Sequence, residues 1–540
     1  MNILALGGSS HDFSACLMLD GKIAVAIEEE RITRIKHSLD LDVKSSGNQA
    51  ALYCLESQGL TLSEIDLIIG NDIIDRNYYK PYRDRMVLMN HHLAHASSAF
   101  YPSPFEEAAI LVVDGAGSEI GGLNETTTYY YGKGTEIQEL LKITGKMEWN
   151  QVLSPVENSM GYFYDVLSNG IGFHKLTNGK TMGLAPYGST AYVKEFERFY
   201  TMDDEGRFIQ SKEHIQEMKK FIRHTVGVIR DEEQRFQAKA DIAYAGQYHL
   251  ERAMIKACRY LHARTGSRHL CLAGGVALNS VANYKILEET PFEHIFVQPA
   301  AGDAGTAIGS AYYGHHVKMN QPRGDASILF SPYLGRGYGA EDYESALKQY
   351  AEHITVESPD DLYGSVASIL DQGEIIGWFQ DRSEIGPRAL GNRSILADAR
   401  RNDMKDLINS RIKHREAFRP FAPIVLEEEQ PTYFSMEHPS YYMLLVPYIL
   451  EEKRSEVPSI THEDGTGRVQ TVSRAINPKL HQLLSSFQRL TGTPILLNTS
   501  YNDNGEPIVE TPADAIRCFL NIDLDALVLD KWLIRKKNRQ

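Results

Sequence analysis

Three histidines fall within five positions in NHHLAHASSAFYPSP, Asn90 to Pro104. Asn90 is placed to cap a helix whose first turn holds His91 and His92, with His95 one turn on. His91 and His95 stand at i,i+4, so their rings project from one face and can share a cation. His92 and His95, at i,i+3, can do the same, and spacing alone does not separate the two pairs. The glutamate of an H-E-x-x-H zinc protease is absent, which removes that reading. The plain alternative is an imidazole-rich helix satisfied within a core. Two acids shift the balance: Asp114 ends the apolar run AAILVVD, and Asp303 follows HIFVQPA in GDAG. A carboxylate at the end of a buried strand needs a partner or a task. Two imidazoles with two carboxylates form a mixed N/O set suited to iron, manganese or zinc with positions left open.

Other polar groups gather in short runs. GSSHDFS puts His11, Asp12 and Ser14 on or beside a flexible turn. EEERITRIKHS adds Glu28, Arg31, Lys36 and His37, either as a solvated charged edge or, for Lys36, as a cation facing phosphate. In the C-terminal half, DRSEIGPRALGNRSILAD carries Arg388 and Arg393 among turn formers. RIKHREAFRPFAP then crowds five basic or imidazole side chains between Arg411 and Arg419, Lys413 among them. Arg468 in GTGRVQ, and Ser500 with Asn502 in NTSYND, are further polar groups on loops. Guanidinium forks pair with phosphate and carboxylate oxygens, and lysine acts as a point charge. Spacing does not join these groups into one pocket.

The elements that must position them read as an α/β protein. ILALGG, FSACLML and KIAVAIEE form a β-meander, with Asp20-Gly21 as its hairpin turn. A comparable unit recurs at AAILVVDGAGSEIGG and TTTYYYGKG. HLCLAGGVALNS and HIFVQPAAGDAG each read as strand, glycine turn, helix. Backbone amides at such turns suit phosphate contact, and Gly274, Gly275 and Asn279 lie in one of them. Strand–turn–strand units repeated in two halves are the pattern of the actin/hexokinase/Hsp70 type of fold. The segment 318 to 339 is Pro/Gly/Ser-rich and reads as a domain linker. Beyond it, LYGSVASILDQGEIIGWFQ reads as helix then strand, and PILLNTSYNDNGEPIV as a strand entering a polar loop.

Length and composition bound the rest. At 540 residues, two to four domains are expected. A net charge of -15 argues against nucleic acid and anionic membranes as partners, so any anion site must be a local basic pocket. Five scattered cysteines without a CxxC pair suit reduced, buried thiols. The N-terminus lacks a signal-peptide pattern and no apolar run is long enough to span a bilayer, so a cytoplasmic location is expected.

Taken together, HDFSA, EEERITRIKHS, HHLAHASSAFYPSPF, DGAG, GKTMGLAPYG, GGVALN, GDAGTAIG, EIGPRALGNRSILAD and KHREAFRPFAP resemble the NodU/CmcH family of O-carbamoyltransferases, in family order over about residues 7 to 505. The resemblance implies an N-terminal actin-like (ASKHA, TsaD-like) duplicated domain over 1–330 and a C-terminal α/β YrdC-like domain over 340–540. It implies ATP and carbamoyl phosphate as substrates, Mg2+ with the ATP, carbamoyl-adenylate formed in the C-terminal domain, and transfer to a small-molecule hydroxyl in the N-terminal one. Carried over by position, His91, His95, Asp114 and Asp303 match the metal set, usually iron, with manganese or zinc as alternatives. His11 and Lys36 match groups around the adenylate and carbamoyl moiety, with Asp12, Gly274, Gly275 and Asn279 on the nucleotide side. Lys413, Arg419, Arg468 and Ser500 match the carbamoyl phosphate and adenylate pocket, with Arg388 close by as a catalytic group. The family pattern selects His91 over His92. Asp381 stands where the family has glycine, and Ile385 where phenylalanine is frequent, which puts a negative charge beside the expected anion site. A monomer or homodimer is expected. Two other readings stand beside this one: a tRNA threonylcarbamoylation enzyme, which the acidic charge opposes, and a non-catalytic nucleotide-binding regulator, which would not need the C-terminal basic groups. A hydrogenase-maturation carbamoyltransferase would carry CxxC zinc-finger pairs, which this chain lacks.

Overall fold

A computed structural model describes residues 1–39, 41, 48–147, 154–324 and 329–537. The chain forms two units: unit 1 takes Met1–Ala24, Asp42–Ala51 and Gly59–Phe330, and unit 2 takes Val25–Leu41, Leu52–Gln58 and Ser331–Gln540.

Unit 1 is built from one strand topology used twice. Strands β1 (Asn2–Gly7), β2 (Ser14–Leu19), β3 (Lys22–Glu28), β4 (Leu67–Asn71) and β5 (Met86–Met89) lie in the order β3-β2-β1-β4-β5. β1 is antiparallel to β2 and parallel to β4, which is parallel to β5. Asp20 and Gly21 both take positive φ, as the two-residue hairpin turn requires. The second sheet contains β6 (Glu107–Val113), the short β7 (Glu119–Ile120), β8 (Leu123–Lys133) and β9 (Glu136–Gly145). A separate small ladder, β10 (Thr201–Met202) with β11 (Phe208–Ile209), precedes the sheet's last strands, β12 (His269–Ala273) and β13 (His294–Val297). Its pairings give β9-β8-β6-β12-β13, with the first three strands antiparallel and the last three parallel. Order and sense repeat those of the first sheet. Central strands such as Leu4–Leu6 and Ala109–Val112 have no exposed surface, as expected where both faces are covered. The helices His91–Phe100 and Thr306–Tyr313 cross closely, because a side chain at Gly309 would run into the Ala94 carbonyl.

Unit 2 is a mixed α/β unit on one sheet. Its strands are β14 (Ile354–Glu357), β15 (Ile376–Phe379), β16 (Arg393–Asp398), β17 (Ala422–Leu426), β18 (Gln470–Val472), β19 (Ile495–Ser500), β20 (Ala526–Leu529) and β21 (Trp532–Lys536), ordered β14-β21-β20-β15-β16-β19-β17-β18. The N-terminal segment belongs here by its contacts. Ala26 N donates to Leu334 O at 2.8 Å, Arg34 reaches the Pro507 and Ile508 carbonyls at 2.6 and 2.7 Å, and Tyr53 Oη donates to Glu510 at 2.6 Å. The units thus change at residue 330, with Val25–Leu41, which carries Lys36, and Leu52–Gln58 counted in unit 2. The expected linker is irregular over 319–324 and 329–339, while residues 325–328 lie outside the described residues. It is not loose throughout, since Arg323 donates to the carbonyls of Phe100, Tyr101, Ser103 and Phe105. All five cysteines are free and buried. No described helix is long and apolar enough to cross a membrane.

Candidate metal centre and anion pocket

In unit 1 the chain brings the four expected metal ligands to one point. Asn90 caps the histidine helix through Leu93 N at 2.9 Å. His91 Nε2 and His95 Nε2 stand 3.1 Å apart. Asp114 Oδ2 is 3.2 Å from the first and 3.8 Å from the second, and Asp303 Oδ1 is 3.6 Å from each. Four ligands at about 2.1 Å from a tetrahedral centre would stand about 3.4 Å apart. All four residues are buried, and the Nδ1 atoms of both histidines have no partner among the described residues. Two imidazoles, two carboxylates and no thiolate fit a borderline divalent cation such as iron, manganese or zinc. Without one, burial pulls His91 down, but the Asp114 hydrogen bond and the Asp303 charge leave its pKa raised to about 8. Burial opposes the Asp303 carboxylate, yet His95 and His91 hold it well below the usual range.

His92 faces elsewhere. Its Nδ1 meets Thr128 Oγ1 at 2.8 Å, and burial pulls its pKa down to about 4, so the ring is neutral. Geometry thus separates the two pairs that spacing left open. A group the sequence reading missed lies beneath the helix. Buried Glu125 accepts from Asn90 Nδ2, His92 N and Ser118 N, each at 3.0 Å, with Lys142 Nζ 3.1 Å away. A carboxylate at a helix N-terminus is favoured by the orphan amides there. Its only signal was a lone acid in the otherwise uncharged run NETTTYYY.

His11 belongs to this centre. Its Nδ1 meets Asp12 Oδ2 at 3.0 Å. Burial works against its charge, but Asp12, Asp303 and Asp114 raise its pKa to about 9. Asp12, expected on the nucleotide side, is thus in position to orient the His11 ring. The turn at Gly274 is held by its own bonds. Gly274 N donates to Ala301 O and Gly275 N to Asp114 Oδ1, each at 2.9 Å. Asn279 caps the helix Ser280–Glu289 and donates to Gln247 at 2.9 Å. These amides are thus engaged by Ala301 and by the Asp114 carboxylate. Gly274 is needed because its φ is +91° and a side chain would strike the Val113 carbonyl.

In unit 2, loops distant in sequence assemble an excess of positive charge. The guanidiniums of Arg388, Arg419 and Arg468 are half-buried and donate no hydrogen bond among the described residues, and Nε of Arg388 and Arg468 is fully enclosed. Burial lowers Arg388 to about 10, with Arg419 adding to the effect. Arg468 is lowered further, by burial and then by Arg388, Arg415 and Arg419. Arg415, lowered to about 9 by burial and then Arg419, extends the cluster that the expected set left without it. The nearest acid, Glu416, stands 3.8 Å from Arg419. Unpaired buried charge of one sign calls for an anion.

Lys413 plays a different part from the one expected. Its Nζ donates to Ser500 O, Asn502 O and Asn502 Oδ1 at 2.6, 2.9 and 3.0 Å, which uses all three protons. Burial, with Arg415, Lys36 and Arg419 nearby, lowers it to about 7. It supplies charge and holds the Ser500–Asn502 turn, while Ser500 Oγ donates to Asn502 Oδ1 at 2.6 Å. Arg393 is structural, packed 3.6 Å over the Phe379 ring and bonded to the Gln380 carbonyl at 2.5 Å. Asp381 is paired with Lys479 Nζ at 2.8 Å, which Asp530 shares at 3.0 Å, so its charge is partly offset. Replacing Asp381 with Gly should leave the affinity for inorganic phosphate within about twofold, read by titration calorimetry.

Comparison with known proteins decides the family. The chain matches the family model described as Carbamoyltransferase N-terminus over residues 73–312 and that described as Carbamoyltransferase C-terminus over 367–536. The chain belongs to the carbamoyltransferase family. The nodulation protein NolNO of Sinorhizobium fredii is 37% identical, over 98% of this chain and 79% of that protein. NolO of Bradyrhizobium diazoefficiens is 39% identical, over 83% of this chain and 79% of its own length. An uncharacterised Synechocystis protein is 35% identical over 99% of this chain and 97% of itself. As a carbamoyltransferase of the NodU type, the protein is an enzyme; one unit carries a cluster of arginines and the other a set of two imidazoles and two carboxylates that could hold a cation.

Proposed function

We propose that this carbamoyltransferase divides its reaction between two opposite electrostatic sites. In unit 2, the Arg388, Arg415, Arg419 and Arg468 cluster receives carbamoyl phosphate and ATP. Water releases inorganic phosphate and carbamate, a carbamate oxygen attacks the α-phosphorus, and pyrophosphate leaves. The product is carbamoyl-adenylate. Two anions must approach in that step, and preorganised guanidiniums supply the compensating field. In unit 1, a hydroxyl of a small-molecule acceptor, a sugar or natural product, attacks the carbamoyl carbon and AMP leaves. The repeated β3-β2-β1-β4-β5 order supports an actin-like unit 1, and the large mixed sheet is compatible with a YrdC-like unit 2.

His91, His95, Asp114 and Asp303 would hold a divalent cation, iron first, which would supply Lewis-acid polarisation at the transfer site. With a cation offsetting the Asp303 and Asp114 charges that raise it, His11, oriented through Nδ1 by Asp12, would offer a neutral Nε2 to take the acceptor hydroxyl proton; while protonated, it would orient the carbamoyl group instead. The observation that carries the proposal is the excess of guanidiniums in unit 2: of Arg388, Arg415, Arg419 and Arg468, only Arg419 has a carboxylate within ion-pair distance among the described residues, Glu416 at 3.8 Å. The test is His11→Asn. This variant should still release pyrophosphate from ATP in the presence of carbamoyl phosphate, yet fail to add a carbamoyl mass to candidate alcohols. Loss of both activities would refute the division of labour.

A further inference from the structure

The loop that carries Arg388 is braced twice. From inside, Glu384 Oε1 accepts the amides of Leu390, Asn392 and Arg393 at 2.5, 3.2 and 3.3 Å. From the N-terminal segment of unit 2, a second brace grips Gly386, two residues before Arg388. Glu28 Oε1 accepts Gly386 N at 2.5 Å, and Arg31 Nη2 donates to Gly386 O at 2.6 Å. Both ends of one residue are thus held by one acid and one base, whose own charges stand 3.7 Å apart. Gly386 has a φ of +98°, a conformation that only a fixed turn keeps.

This pair is a costly way to gain stability. Arg31 is completely buried, with Nε and Nη1 lacking a hydrogen bond among the described residues although Glu30 Oε1 lies 3.7 Å from Nε; Glu28 is 5% exposed with no hydrogen bond to Oε2, and burial raises its carboxyl to about 7. An apolar pair of similar volume would commonly be as stable or more so. What the ion pair provides, and an apolar pair cannot, is directional bonds to both peptide groups that flank a single residue.

We propose that Glu28 and Arg31 are positioning residues for carbamoyl phosphate binding, setting the height and direction of the Arg388 guanidinium through Gly386. This rests on the reading of Arg388 as part of the anion pocket. It also accounts for why residues from the first strand meander belong to unit 2: they complete the frame of a loop some 350 residues later in the chain, the separation of 358 positions between Glu28 and Gly386.

The experiment is steady-state pyrophosphate release by the full-length enzyme, with KM for carbamoyl phosphate and for ATP measured separately. Glu28→Ala and Arg31→Lys should raise KM for carbamoyl phosphate by about tenfold or more, the effect expected of orienting residues. KM for ATP should change much less; the unfolding midpoint of Glu28→Ala should fall, because Arg31 is left buried without its acid, so each KM is read on the folded fraction well below that midpoint. Glu28→Gln keeps an acceptor for the Gly386 amide and should restore most of the affinity. Arg388→Ala serves as the reference. If it leaves KM for carbamoyl phosphate unchanged, the anion-pocket reading fails. If Arg388→Ala raises that KM while Glu28→Ala and Arg31→Lys both leave it unchanged, the brace is refuted. It is equally refuted if both variants raise the two KM values together, or if Glu28→Gln behaves like Glu28→Ala.

Discussion

Replacing His91 with Ala should release the bound metal, whereas replacing His92 with Ala should not. His91 offers Nε2 to the point shared with His95, Asp114 and Asp303. Removing it leaves three donors and exposes the uncompensated charge of two buried carboxylates. Orienting residues around metal sites are worth about 10–100-fold in affinity, and loss of a ligand should exceed about 100-fold. His92 is one residue away and equally buried, but its ring serves Thr128 Oγ1 and the packing against Gly117. His92→Ala should hold its metal within about threefold while unfolding earlier, because it leaves a cavity worth about 2–4 kcal/mol. Metal content after dialysis against a graded chelator series, read beside thermal unfolding, separates the outcomes. Equal metal loss in both variants would mean that the helix rather than the ligand set was disrupted, and the assignment of His91 would fall.

That contrast also marks how far the sequence could be read. The i,i+4 relation of His91 and His95 is local helix geometry and was legible. Asp303 lies 200 residues away, and only the repeated strand order and the close helix crossing at Gly309 bring it to the histidines. The hairpin at Asp20-Gly21 was legible because positive φ at two positions restricts residue type. The partners of the Gly274-Gly275 turn were not legible for the opposite reason: two glycines look alike in sequence whatever their amides meet, here Ala301 and Asp114. The basic groups were each visible, but Arg388, Arg415, Arg419 and Arg468 come from three separate loops, so no spacing could join them. Membership of Val25–Leu41 in unit 2 depends on bonds to Leu334, Gly386 and Pro507, partners hundreds of residues distant, and carries no local pattern at all.

Arg468→Leu should make the ligand-free enzyme more stable while abolishing its response to phosphate. Arg468 is held well below its usual pKa by burial and by three neighbouring arginines. Folding therefore works against its charge, and an apolar side chain removes both the desolvation cost and the mutual repulsion. Such replacements of unpaired or poorly compensated buried charge commonly gain on the order of 1–3 kcal/mol. The wild-type protein recovers the deficit only when an anion binds, since a ligand at about 100 times its Kd adds about 2.7 kcal/mol. Without phosphate, the unit 2 transition of the variant should lie above that of wild type; in saturating phosphate the order should reverse, with pyrophosphate release lost. A lower transition without phosphate would show that Arg468 is structural. Lys413 adds a pH signature to the same site. Its folded pKa of about 7 lies below the ordinary lysine value of 10.5, so the unfolded chain binds more protons between these limits. The destabilisation is complete below about 7 and is relieved as pH rises toward 10.5. Anion binding needs the ammonium, so its affinity should fall as pH rises from 7 to 9, with proton uptake on binding. Sulfate, whose charge is constant over that range, is the suitable probe, and calorimetry in buffers of different ionisation enthalpy measures the protons taken up. In Lys413→Met both the pH dependence and the proton uptake should disappear.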